Sequence, residues 1–224
     1  PSLMATVMEV AHPDVTNNLP QALLAISGSK TVRRAALRAI SQIISKPDQF
    51  KKEMGNHKHT YPENVGWRER FDKVISFLIK TVADEKEDSW IRSEACWGLY
   101  HLRPVEKPAI QVLLKIAADI KADENLLIAI AGTLVQAENP DNSVIEALAR
   151  LLNHANTRIP RNILKTARVF TENDMSPLVV HVRSLLDHAD ESVKEAAMNF
   201  LVKYHSNNPE LTEDLLRNLQ HPSL

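Results

Sequence analysis

Apolar residues recur at a regular interval along this chain. Six residues suited to capping a helix set the frame: Ser29, Asp88, Asp123, Asn156, Asp190 and Ser223. Each has a side-chain oxygen that can accept from an orphan N–H of a first helical turn. They stand 59, 35, 33, 34 and 33 residues apart. Three residues after the first five caps come Val32, Ile91, Leu126, Ile159 and Val193. Four further on come Ala36, Ala95, Ile130, Ile163 and Ala197, and four beyond those Ile40, Leu99, Leu134, Ala167 and Leu201. This spacing draws an apolar stripe along a helix.

A second amphipathic segment precedes each of these helices. The segments are "ALLAI" at 22–26, "VISFLIKTV" at 74–82, "IQVLLKIA" at 110–117, "VIEALARLL" at 144–152 and "LVVHVRSLL" at 178–186. Pro- and Asn-bearing stretches ("RPVEKP", "ENPDN", "ENDMSP", "NNPE") end one pair and start the next. The unit is therefore helix–turn–helix. A single pair cannot bury both of its apolar faces, so neighbouring pairs must stack.

One phrase is nearly repeated. "LLNHAN" at 151–156, "LLDHAD" at 185–190 and "LQHPS" at 219–223 each place a histidine in the turn between two helices. Stacked helices lie about 8–10 Å apart. Successive turn histidines are then too far apart to share a metal whose ligands each come within about 2 Å. His154, His188 and His221 read as parts of a structural joint, where a cation near a helix C-terminus is mildly favourable.

"LLDHADESVKEAAMNFL" at 185–201, "SGSKTVRRAALRAI" at 27–40 and "EDSWIRSEACWGL" at 87–99 resemble the HEAT-like repeat, in the variant also found in phycobilin lyases. The resemblance covers residues 19–45 and 70–224. It implies an all-α, right-handed α-solenoid of about five HEAT-like helical pairs, built as one domain over 1–224. Pro160 departs from the pattern, which usually has Arg there, and residues 46–69 fit no repeat. Some HEAT-like proteins are hydroxylases that hold iron with His-Glu pairs; this sequence has no His-Glu dipeptide. Phycobilin lyases share the repeat, so a lyase-like enzyme subunit stands as a third functional reading.

Composition narrows the rest. The chain has 224 residues, 44% hydrophobic and 25% charged, with no apolar run long enough for a membrane span. The single cysteine, Cys96, cannot form an intrachain disulfide, which suits a reducing, cytoplasmic compartment. It follows a core alanine and reads as a packed hydrophobe. Residues 1–81 hold 12 Lys/Arg against 7 Asp/Glu, and 82–224 hold 15 against 21, so the net charge of −1 divides as +5 and −6. No phosphate-cradling Gly loop, Gly-x-Ser-x-Gly elbow or His-Glu-x-x-His occurs. No catalytic residue, cofactor or metal is therefore assigned.

The second helices would line the concave face of such a solenoid. Their exposed columns read Arg34, Ser93, Ile128, Arg161, Glu195; then Arg38, Trp97, Gly132, Lys165, Asn199; then Ser41, Tyr100, Val135, Arg168, Val202. Arg34 with Arg38, and Arg161 with Lys165 and Arg168, make two basic stripes, with Trp97 and Tyr100 between them. Arg92 joins this candidate set. Arg and Trp are enriched at binding hot spots. The expectation is a non-enzymatic scaffold that binds a protein or peptide. The alternative is a nucleic-acid-binding or base-excising solenoid, in which Trp97 would stack. Against it stand the near-neutral charge and the break in the basic column at Ile128 and Gly132.

The helix around Leu211–Leu219 matches the first member of a pair, and only Leu224 follows the cap at Ser223. This predicts a piece of a longer chain, with Leu215, Leu216 and Leu219 partly uncovered and prone to self-association. The stretch "SKPDQFKKEMGNHKHTYPENVGWR" reads as an inserted loop, and its "HKH" lacks a Cys or carboxylate cluster to complete a metal site. Limited proteolysis should cut within 51–66 first; early cutting within 110–200 would contradict the repeat assignment.

Overall fold

The structure, a computed structural model, describes Lys30, Arg33, Arg34, Leu37 and residues 67–101, 105–119, 121–137, 139–169, 175–204 and 212–213. Arg38, Ala36, His221, most of the 46–69 insertion and the segment around Leu215–Leu219 lie outside these residues. The described part is helical, without strands; one isolated bridge joins Val105 to Ala137. The chain divides into two compact units, residues 1–103 and 104–224.

In the first unit, Lys30, Arg33, Arg34 and Leu37 are helical, and α1 (Trp67–Ala83) packs on α2 (Ser89–His101). Ile75, Leu78 and Val82 of α1 are buried, as are Ile91, Ala95 and Leu99 of α2. Both sets follow helical spacing.

Among the described residues the second unit holds three pairs. They are α3 (Lys107–Ala117) with α4 (Glu124–Leu134), α5 (Asn142–Leu152) with α6 (Arg158–Val169), and α7 (Val179–Arg183) with α8 (Glu191–Tyr204). The first helices form one layer, with α5 against both α3 and α7. The second helices form the other, with α6 between α4 and α8. This is the stacking of helix pairs that the periodicity predicts. Every residue of α4 from Leu126 to Leu134 is buried. Its one polar side chain there, Thr133, turns its hydroxyl back to the Ala129 carbonyl at 2.8 Å. The predicted helix at 178–186 is instead a short α7 between two 3-10 turns, Ser176–Leu178 and Ser184–Asp187. Three β-branched valines lower helix propensity there, and the Ser184 hydroxyl donates to the His181 carbonyl.

The caps lie where the spacing puts them. Asp88 Oδ1 accepts from the Trp90 N–H, and Asp123 Oδ1 from Asn125 and Leu126. Asn156 Oδ1 accepts from Arg158, and Asp190 Oδ1 from Ser192 and Val193. Asp141 caps α5 in the same way, through Val144. Just before it, Asn139 turns the chain at φ 49°, a conformation Asn tolerates better than most residues.

The two described turn histidines, His154 and His188, belong to a structural joint, as the sequence suggested, but through a hydrogen bond to the cap. His154 Nδ1 accepts from the Asn156 N–H at 3.0 Å, and His188 Nδ1 from the Asp190 N–H at 2.9 Å. Each ring therefore acts as an acceptor that holds the cap residue, where the sequence suggested a cation facing helix-end carbonyls. In the two earlier turns a carboxylate makes the same two-residue bond but earlier in the turn, two residues short of the cap: Asp84 Oδ1 accepts from Lys86 and Asp119 Oδ1 from Lys121, both at 3.0 Å.

The hydroxyl of Ser192, then the Thr157 side chain and backbone N–H groups, hold the Asp190 carboxyl below the usual carboxylate range. The Ser143 hydroxyl does the same for Asp141, and the Lys30 ammonium for Asp88. Stabilisation from these groups is complete above the unfolded value of about 3.9. It is lost as pH falls through their lower folded values. The melting temperature should therefore drop on acidification below this range, and Asp190→Asn, which keeps a capping oxygen, should flatten the drop. An acid limb identical in Asp190→Asn and the parent would assign the effect elsewhere. Ala197 is fully buried. Ala197→Leu should overpack the site and cost about 1–3 kcal/mol; an unchanged melting temperature would refute that packing.

Candidate binding groove

The open face of α6 begins at its cap. Asn156 closes the first turn, and Pro160 falls within that turn, where its missing N–H would have no intrahelical partner. The departure from Arg at this position is thus accommodated locally. Ile159, Ile163, Leu164 and Ala167 are buried, whereas Arg158, Arg161, Lys165 and Arg168 are exposed along one face. Across from them, α8 presents Ser192, Glu195, Ala196 and Asn199. Between the two helices lies an open hollow of about 460 Å³, with Ile128 and Leu164 also in its lining.

Hydrogen bonds pin this groove at both ends. At the N-terminal end Thr157 bonds the Asp190 carboxylate, while on the other side of α6 the Asn156 amide donates to the Glu124 carboxylate of α4. At the other end Lys203 Nζ donates to the Ala167 carbonyl at 3.0 Å. Among the described residues, Arg161, Lys165 and Arg168 make no ion pair. Among the described residues Glu195 is the one carboxylate lining the hollow. Asn162 also lines it, and its Oδ1 is buried without a hydrogen-bond partner among the described residues.

The candidates in the first unit are arranged differently. Arg34 Nε donates to the buried Glu94 at 2.9 Å, and its guanidinium lies 4.2 Å from the centre of the Trp90 ring. Lys30 pairs with Asp88 at 2.7 Å, and Arg33 with Glu87. Arg92 Nε donates to the Val82 carbonyl at 2.9 Å, so it closes the end of α1. Trp97 and Tyr100 are partly buried and meet edge to face at 5.3 Å. The structure thus gathers Arg161, Lys165 and Arg168 about one groove, while Arg34 and Arg92 are engaged within their own unit.

Ser93, Ile128, Gly132 and Val135, expected on the open face, are buried. For the three on or next to α4 the reason is composition, since a helix apolar all round is buried. Sequence reasoning also missed a whole column two residues past each cap: Trp90, Asn125, Arg158 and Ser192. Trp90 is 46% exposed under Arg34, and Arg158 extends the basic row of α6. The i, i+3, i+7 spacing of Arg158, Arg161 and Lys165 was the available signal.

Among the described residues no three His, Cys, Asp or Glu side chains come together as a metal site, and no helix is long and apolar enough to cross a membrane. No protein-family model and no curated protein matches the sequence. Two crystal structures of engineered proteins from the Northeast Structural Genomics Consortium are similar in backbone. One has a TM-score of 0.51 at 16% identity, over 91% of this chain and 95% of that one. The other has a TM-score of 0.51 at 15% identity, over 97% of this chain; the match spans 61% of that protein's length. At such identities the likeness extends to the fold alone.

Proposed function

We propose that this chain is a non-enzymatic, HEAT-like scaffold that binds a protein or peptide along the open face of its second helices, with the groove between α6 and α8 as the principal contact. The supporting observation is the row of Arg161, Lys165 and Arg168, exposed and without ion pairs among the described residues, beside a 460 Å³ hollow. A helix fixes the backbone that carries these cations, and Arg is over-represented among residues that dominate interfaces. The same row favours a second reading, in which these side chains meet the phosphates of a single-stranded nucleic acid.

Charge reversal separates both readings from a merely solvated face, and DNA binding separates them from each other. Arg161→Glu/Lys165→Glu should lower partner capture by the intact protein more than roughly tenfold, the scale of a hot-spot loss. The melting temperature should hold, since both side chains are exposed. Capture indifferent to the reversal would refute the groove. Steep salt-dependent binding to single-stranded DNA would favour the second reading; no binding at low salt would remove it.

A further inference from the structure

Resting on the groove reading above, we infer that the α6–α8 groove takes an extended acidic peptide, with carboxylates at alternate residues on Arg161, Lys165 and Arg168 and a main-chain N–H on the Asn162 amide oxygen.

The unmet Asn162 acceptor selects an extended occupant. An extended peptide has free main-chain N–H groups, whereas a helix bonds its own internally. α6 and α8 are packed neighbours, and an extended chain can lie along the furrow over their contact. Its alternate side chains recur every 6.6–6.8 Å or so on one side. The cations at 161, 165 and 168 recur about every 4.5–6 Å along α6, from a rise of about 1.5 Å per residue. Long Arg and Lys side chains absorb the difference.

The two walls select alternation. Carboxylates directed at α6 meet Arg161, Lys165 and Arg168, and an Arg fork holds a carboxylate in two parallel bonds. Side chains directed the other way meet Ser192, Glu195 and Asn199. An acidic residue there would face Glu195, so the intervening positions must be neutral or basic. A uniform polyanion such as a nucleic-acid strand presents charge to both walls and meets that repulsion.

Asn162 selects a peptide backbone. An unmet buried acceptor is costly, and the broad terminal torsion of Asn lets the amide swing towards the groove it lines. A peptide N–H satisfies it. A phosphodiester backbone carries no donor.

The test is fluorescence polarisation of labelled peptides on the full chain at low and physiological salt. The probe is a nonapeptide with aspartate at alternate positions and serine between. Its controls replace aspartate by asparagine, or gather the same aspartates in one run; a single-stranded oligonucleotide of matching charge is the fourth ligand. The alternating peptide should bind roughly tenfold more tightly than either control, the discrimination that one or two well-placed charge pairs give. Arg161→Glu/Lys165→Glu should abolish binding. Asn162→Ala should weaken it several-fold, with the melting temperature lowered in neither variant. Equal affinity for alternating and clustered aspartate, or tighter binding of the oligonucleotide, overturns the inference. If partner capture needs Arg161 and Lys165 but the alternating peptide neither binds nor competes, the acidic-peptide inference fails and the scaffold reading stands. If capture ignores the reversal, both fall.

Discussion

The N-terminus of each second helix is the point on which this architecture turns. A helix starts with N–H groups that have no partner within it, and an end set against neighbouring pairs must find partners elsewhere. Here the cap side chain supplies one, and at α6 and α8 the turn histidine before it holds the cap's own N–H. The same residues also reach sideways. Lys30 meets Asp88, Asn156 meets Glu124 and Thr157 meets Asp190, each bond joining the starts of successive second helices within one unit. One small set of side chains thus closes a helix and sets the register of pair upon pair.

Much of this was legible in the sequence because it is local. Caps, apolar columns and helix-breaking linkers are decided by residues within one or two turns, so Asp88, Asp123, Asn156 and Asp190 could be placed from spacing alone. What escaped depends on distant or ambiguous chemistry. An imidazole nitrogen can donate or accept, and nothing around His154 or His188 in the chain says which. The burial of Ile128 and Val135 follows from an all-apolar α4 packed into the unit, whereas column-reading by analogy left them open. The short α7 reflects a run of valines that periodicity counts simply as apolar.

The groove follows the same division. Arg161, Lys165 and Arg168 were found by helical spacing, but the meaning of a cation depends on what faces it. In the first unit Arg33 and Arg34 face Glu87 and Glu94 and are consumed as ion pairs. On α6 the facing wall offers only Glu195 among the described lining residues, with Ser192 and Asn199 beside it. Similar residues on similar helices are structural in one place and available in the other. No single-sequence column distinguishes these outcomes, because the deciding carboxylates sit a full repeat away.

The two kinds of turn have a consequence for how such a chain can vary. At 83–88 and 118–123 a carboxylate four residues before the cap accepts from the N–H two residues on; at 153–156 an imidazole two residues before the cap makes that local bond, with no carboxylate in the turn. Shape and charge are therefore decoupled along this rim. Substitution between the two acceptors can redraw the electrostatic outline of the edge while the helices keep their places. The rim is in that sense a keyboard on a fixed frame, open to divergence wherever a new neighbour has to be attracted or kept away.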